Sequence, residues 1–200
     1  MKNSKILLFA AVTIFAIASC NKKDEVVVVP EPVNEEEVIT TVKLVLTPIG
    51  GGTVVTLQSR DLDGEGPGMP VVTPGAPILA LNKTYDGEVI VLNETVTPAK
   101  NTSAEILSEA VDHQFFYQTT GTLPMFAYTN VALQPANFDT NGKPVGFLTK
   151  FVTTTAAIGS LTITLRHQGD KSASGVSAGN ITNATGETDF EVNFPNISVQ

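Results

Sequence analysis

Two stretches late in the chain constrain its fold more than anything else in the sequence. Leu161, Ile163 and Leu165 alternate with Thr162, Thr164 and Arg166, and Phe190, Val192 and Phe194 alternate with Asp189, Glu191 and Asn193. Successive side chains of a strand point to opposite faces, so a period of two gives each stretch one apolar and one wet face. Strands of that kind suit an antiparallel sheet packed on a second sheet. The N-terminal half carries the same signal. Val42, Leu44 and Leu46 share one side of Thr41 to Thr47, Pro48 stops the run, and Gly50-Gly51-Gly52 turns the chain into a second strand from Thr53 to Ser59 with Val55 and Leu57 on one face. Glycine reaches positive φ without steric cost, so this unit is predicted to be a hairpin. The Glu88 to Leu92 stretch follows an Asp86-Gly87 turn and is apolar on both faces, which suggests a central, doubly covered strand. Frequent threonine fits exposed strand faces. The expected fold is therefore all-β, an Ig-like β-sandwich. The chain has no tryptophan and one cysteine, so no antibody-domain signature refines that expectation.

One segment departs from period two. Thr102 to His113 has helical spacing, with Ile106, Leu107, Ala110 and Val111 on one face and Glu105, Ser108, Glu109 and Asp112 on the other. Thr102 and Glu105 have the spacing of a capping box. The prediction is a short helix that crosses between the sheets or covers one open end.

The N-terminus reads as an address. Lys2 and Lys5 precede an apolar run from Ile6 to Ala18, which is too short for a bilayer core that needs about 20 residues. A basic start, a short apolar stretch and small residues before a cut describe a secretory signal peptide over residues 1–19. The ending Ile17-Ala18-Ser19-Cys20 resembles the lipobox of bacterial lipoproteins. That resemblance implies cleavage before Cys20 and acylation of its thiol. The mature chain would then have no free thiol and no disulfide, leaving stability to other interactions. Cys20-Asn21-Lys22-Lys23-Asp24-Glu25 also resembles the export signal of surface lipoproteins in the Bacteroidota, and Asn21 is not the aspartate that retains enteric lipoproteins in the inner membrane. The expected location is the outer membrane, lipid-anchored and facing the cell surface, with its periplasmic face as the alternative.

Residues 20–37 read as a lipidated acidic tether. Pro30, Pro32 and Glu35-Glu36-Glu37 resist compaction through stiffness and self-repulsion, while Val26 to Val29 interrupts the tether with apolar residues. Residues 38–200 are expected to form one β-sandwich domain, with a division near residues 100–112 as the alternative. Loss of residues 1–19 removes Lys2 and Lys5 from 12 basic and 20 acidic residues, which takes the formal net charge from −8 to near −10. Such a surface disfavours nucleic acid and is compatible with cations.

Chemistry-bearing candidates are few. The two histidines, His113 at the end of the predicted helix's apolar face and His167 just past Leu165, both fall at the border of core and solvent. Neutral imidazole ligates zinc, copper and haem iron, and Asp112 could orient His113 or add a ligand. Met69 and Met125 would soften such a site toward copper. No HxxxH or CxxC spacing links the histidines, and each also suits a purely structural place. Asp61, Asp63 and Glu65 resemble the start of a calcium loop with Gly66 at the glycine position, but Val72 stands where the bidentate glutamate belongs. Catalysis has little support: GxSxG is absent, and Gly50-Gly51-Gly52 lies between strands rather than before a helix. The chain is not expected to be an enzyme.

The body resembles a group of small, uncharacterised Bacteroidota outer-membrane lipoproteins through Leu46-Thr47-Pro48, Arg60-Asp61-Leu62-Asp63-Gly64, Leu92-Asn93-Glu94, Asp112-His113-Gln114-Phe115-Phe116-Tyr117 and Leu161 to His167. Members are sometimes labelled as type 1 periplasmic binding folds, an architecture of two α/β lobes that one helix cannot build. The resemblance implies envelope location and carries no site residues. Three functions remain open on sequence alone: binding of a ligand (a metal, haem) or of a partner such as a TonB-dependent receptor; a structural or adhesive surface module; and, with least support, a glycan hydrolase.

Overall fold

A computed structural model describes residues 37–63, 68–129 and 137–200. Cys20, most of the tether and Glu65 lie outside them. The described chain is the expected all-β sandwich. One sheet has the order β3-β2-β1-β5-β9-β8, built from β1 (Thr41–Pro48), β2 (Val55–Arg60), β3 (Val71–Thr73), β5 (Lys83–Asn93), β8 (Ala127–Tyr128) and β9 (Leu148–Thr153), with β6 (Lys100–Asn101) added beside β5. The second has the order β4-β11-β10-β7, from β4 (Ile78–Leu79), β7 (His113–Thr119), β10 (Ala157–His167) and β11 (Glu187–Val199).

The period-two pattern lays out the core directly. Val42, Leu44 and Leu46 of β1, Val89 and Val91 of β5, and Leu161, Ile163 and Leu165 of β10 are all buried in one cluster shared by the two sheets. Every buried member of that cluster falls between Val42 and Val199, so the body closes on itself. The β1–β2 hairpin forms with Leu46 opposite Val55. β5 is central as expected, but only one of its faces is deeply covered: Ile90 is half-buried and Glu88 exposed on the other.

Two local expectations fail. The helix, α1, spans only Ser103–Ser108, and Glu109 to Asp112 forms turns before β7 begins at His113. Phe115, Phe116 and Tyr117 favour a strand, and β7 gains a full ladder with β10, which outweighs the local helical spacing. The capping box does not form either. Thr102 makes no side-chain cap, Asn101 Oδ1 accepts the Ser103 N–H at 3.0 Å, and Glu105 pairs with Lys100 instead.

The long C-terminal hairpin holds the feature that matters most for the site. β11 has 13 residues and its partner β10 has 11, so β11 must bulge. One shift falls between Leu165, opposite Phe190, and Arg166, opposite Thr188, which leaves Asp189 as the extra residue.

Candidate metal centre

The bulge re-aims Asp189. Alternation assigns this residue to the wet face, opposite in sense to Phe190, yet its side chain is only 4% exposed. It points toward the start of β7. There His113 stands directly opposite His167 across the β7–β10 ladder. The two rings stack with centroids 4.5 Å apart and planes 6° apart. The histidines, 54 residues apart in sequence, thus meet as a cross-strand pair, a contact hidden while His113 is placed at a helix end.

His113 is fully buried, and its Nδ1 lies 3.1 Å from the Glu109 carbonyl oxygen. An N–H at Nδ1 donates to that carbonyl, which fixes the tautomer and turns Nε2 inward. Nε2 faces two carboxylates at 3.4 Å each, Glu37 Oε1 and Asp189 Oδ2. Both side chains are more than nine-tenths buried, at 7% and 4% exposure. His113 Nε2, Asp189 Oδ2 and the other Glu37 oxygen, Oε2, are buried without a hydrogen-bond partner. Burying such groups unpaired is costly, and buried polar atoms are almost always satisfied.

The spacing indicates what would satisfy them. Ligand atoms bound at about 2.0–2.1 Å around a tetrahedral ion stand about 3.3 Å apart, the edge of the tetrahedron. The two 3.4 Å separations match that edge and exceed an ordinary N–H···O bond. Ligand atoms of Glu37, His113 and Asp189 all lie within 4.8 Å of one another. One imidazole and two carboxylates suit a borderline divalent ion such as zinc.

His167 plays a different part. Imidazole lone pairs lie in the ring plane, so an ion in the plane of His113 lies well off the nearly parallel plane of His167. The same geometry is unsuited to haem, whose two axial ligands approach from opposite faces of the ring with the iron between them. His167 instead covers one face of His113, and its Nδ1 lies 3.8 Å from Asp189 Oδ1. A second grouping, Glu109 with the two histidines, reuses His113 and inherits the parallel-plane problem.

The remaining expected residues are elsewhere. The backbone carbonyl of Asp112 accepts the Gln168 N–H at 2.7 Å, and its charge acts on Lys171; the cluster around His113 is completed by Glu37 and Asp189. Asp112 lies in the turn before β7, with its N–H donated to the Glu109 carbonyl at 2.9 Å, outside the strand that carries His113. Asp63 Oδ2 accepts the Gly68 N–H of its own loop at 2.9 Å, and that bond holds its carboxyl below the usual range. The calcium-loop candidate also depends on Glu65, outside the described residues. Met69 and Met125 are strongly exposed, at 85% and 75%, whereas His113 is fully buried.

Burial disfavours a charge on His113, but the Asp189 and Glu37 carboxylates and the Glu109 carbonyl together outweigh it and raise the imidazole above its usual value. A proton and an ion would therefore compete for Nε2. Beside the cluster runs a groove of about 310 Å³ lined by Glu37, Glu105, Glu109 and Lys100 among others, a mainly acidic approach for a cation. No helix among the described residues is long and apolar enough to cross a membrane. Compared with known proteins, the chain matches no protein-family model, no curated protein and no solved structure.

Proposed function

We propose that this protein is a lipid-anchored β-sandwich of the bacterial cell envelope whose body binds a divalent transition-metal ion through Glu37, His113 and Asp189. The observation that carries the metal reading is the meeting of three buried side chains, two acidic and one imidazole, at the spacing of metal ligands, with His113 Nε2, Asp189 Oδ2 and Glu37 Oε2 lacking hydrogen-bond partners. The anchoring rests on Ile17-Ala18-Ser19-Cys20 and the charged residues after it, which resemble the signals of Bacteroidota surface lipoproteins. A surface position would put the site where metal is captured, and a TonB-dependent receptor for metal is a partner of fitting chemistry. Haem is the weaker ligand because the histidines stack instead of facing each other across an iron. The alternative is a structural or adhesive surface module with no small-molecule ligand.

Calorimetric titration of residues 21–200 with Zn²⁺ tests the proposal, beside His113→Gln and His167→Phe. Tight 1:1 binding lost in His113→Gln and weakened only about 10–100-fold in His167→Phe is expected, the cost of removing a group that only supports a ligand. Equal loss in both would return His167 to the ligand set. Absence of binding in the unaltered protein would remove the metal function and leave the structural module.

A further inference from the structure

The three ligand candidates come from parts of the chain that are otherwise separate. His113 opens β7 and Asp189 lies in the β11 bulge, both in the four-stranded sheet. Glu37 stands four residues before β1, which lies in the other sheet. Sequence alone assigns Glu37 to the tether. Its hold on the body is slight without a cation. The first regular backbone bond is the Thr40 N–H to the Leu92 carbonyl at 3.0 Å. Before it, Val38 is 55% exposed and Ile39 is only partly buried against the core. The approach of Glu37 to His113 is the polar tie of residues 37–39 among the described residues. Yet that tie also brings the Glu37 carboxylate against Asp189, within 4.8 Å between ligand atoms. Like charges at that spacing repel, and Glu37 Oε2 and Asp189 Oδ2 have no donor to offset it.

We infer that a divalent cation at this site docks the root of the tether, residues 37–40, onto the four-stranded sheet, so that metal occupancy determines where the body ends and the free tether begins. The inference rests on the metal reading above. The ion joins the segment leading into one sheet to two strands of the other. It thereby supplies a cross-link between sheets in a chain whose one cysteine, Cys20, precedes the body. Release of the ion leaves the repulsion between Glu37 and Asp189 uncompensated, which drives Glu37 off the sheet and adds the segment before Thr40 to the tether's reach.

Hydrogen exchange of residues 21–200 with and without Zn²⁺ tests this, with zinc binding measured calorimetrically on the same samples. At free zinc ten times the dissociation constant, amides of residues 38–40 should exchange more slowly by up to about tenfold, because ligand that binds the docked state more tightly protects it by at most that factor. Amides in the middle of β10 should change less. Glu37→Gln should retain weaker zinc binding through His113 and Asp189 yet lose the protection at residues 38–40. Zinc binding with unchanged exchange at residues 38–40 overturns the docking role and leaves the metal site standing. Undetectable zinc binding overturns the site and the docking together.

Discussion

Lys171 and His113 are both basic side chains buried beside an aspartate, and their surroundings differ in a way that separates structure from function. Lys171 Nζ donates to Asp139 Oδ2 at 3.0 Å and to the Ala110 carbonyl, with side-chain exposures of 6% and 1% for Lys171 and Asp139. The other Asp139 oxygen, Oδ1, accepts the N–H groups of Asn141 at 2.8 Å and Lys143 at 2.9 Å. Charge is paired and each oxygen has a donor, so the unit is complete as it stands. His113 has two carboxylates against one nitrogen, and His113 Nε2, Asp189 Oδ2 and Glu37 Oε2 lack hydrogen-bond partners. A paired buried unit holds loops together. A buried unit with excess acceptors around one imidazole has the donor set of a cation site, and that is the contrast on which the proposed binding role rests.

The comparison breaks first at the paired unit. Asp139→Ala should cost about 3–5 kcal/mol, because it leaves the Lys171 ammonium buried without its counter-charge. Zinc should not restore the loss. Urea denaturation of the variant with and without zinc measures both. A loss under about 1 kcal/mol would mean that Lys171 reaches water easily and that the contrast between the regions is overstated.

The aspartate of the other region should respond with a smaller effect and a sign that depends on metal. With chelator, Asp189→Asn removes one of two opposed carboxylates and should leave stability unchanged or raise it. With zinc at 100 times the dissociation constant, the unaltered protein should gain about 2.7 kcal/mol and Asp189→Asn much less. Thermal melts in chelator and in zinc separate these cases. If Asp189→Asn destabilises the metal-free protein as Asp139→Ala does, the Asp189 carboxylate belongs to a complete structural network and the metal reading loses its basis.

How far the sequence discloses these two regions follows from which physical rule governs each. Alternation is a local rule, so Val42 to Leu46 and Leu161 to Leu165 announce their core faces, and the sandwich follows from them. The histidines are marked as border residues by the same rule. Glu37 is not, because the run Glu35-Glu36-Glu37 has the composition of a solvated tether and only the tertiary fold buries its last member. Asp189 is concealed more thoroughly. It sits in phase with exposed Glu191 and Asn193, and the bulge that inverts it depends on pairing with β10. Helical spacing from Ile106 to Val111 misleads for a related reason, since the β7 ladder decides the state of His113 after local propensity has pointed elsewhere. The candidate site residues missed are those set by tertiary contacts and long-range pairing.

The smallest expected effect is also the one in which the two buried bases oppose each other. His113 is raised from 6.5, so the folded state holds its proton more tightly than the unfolded chain. Its contribution to stability is present below pH 6.5 and is lost as pH rises through the higher folded value. Lys171 is lowered from 10.5, chiefly by burial and despite Asp139. The folded state there holds its proton less tightly, so stability rises with pH between the lowered folded value and 10.5. Chelated protein should therefore lose stability from pH 6.5 upward through His113 and regain some in the alkaline range through Lys171. His113→Gln should remove the first slope alone and Lys171→Met the second alone. Zinc should invert the first slope, because the ion displaces the His113 proton and binds more tightly as that proton becomes easier to remove. Melting temperatures across pH, with chelator and with zinc, decide the matter. A chelated protein whose stability does not fall above pH 6.5, or a zinc gain that does not grow with pH, would mean that proton and metal do not share the nitrogen that faces Glu37 and Asp189.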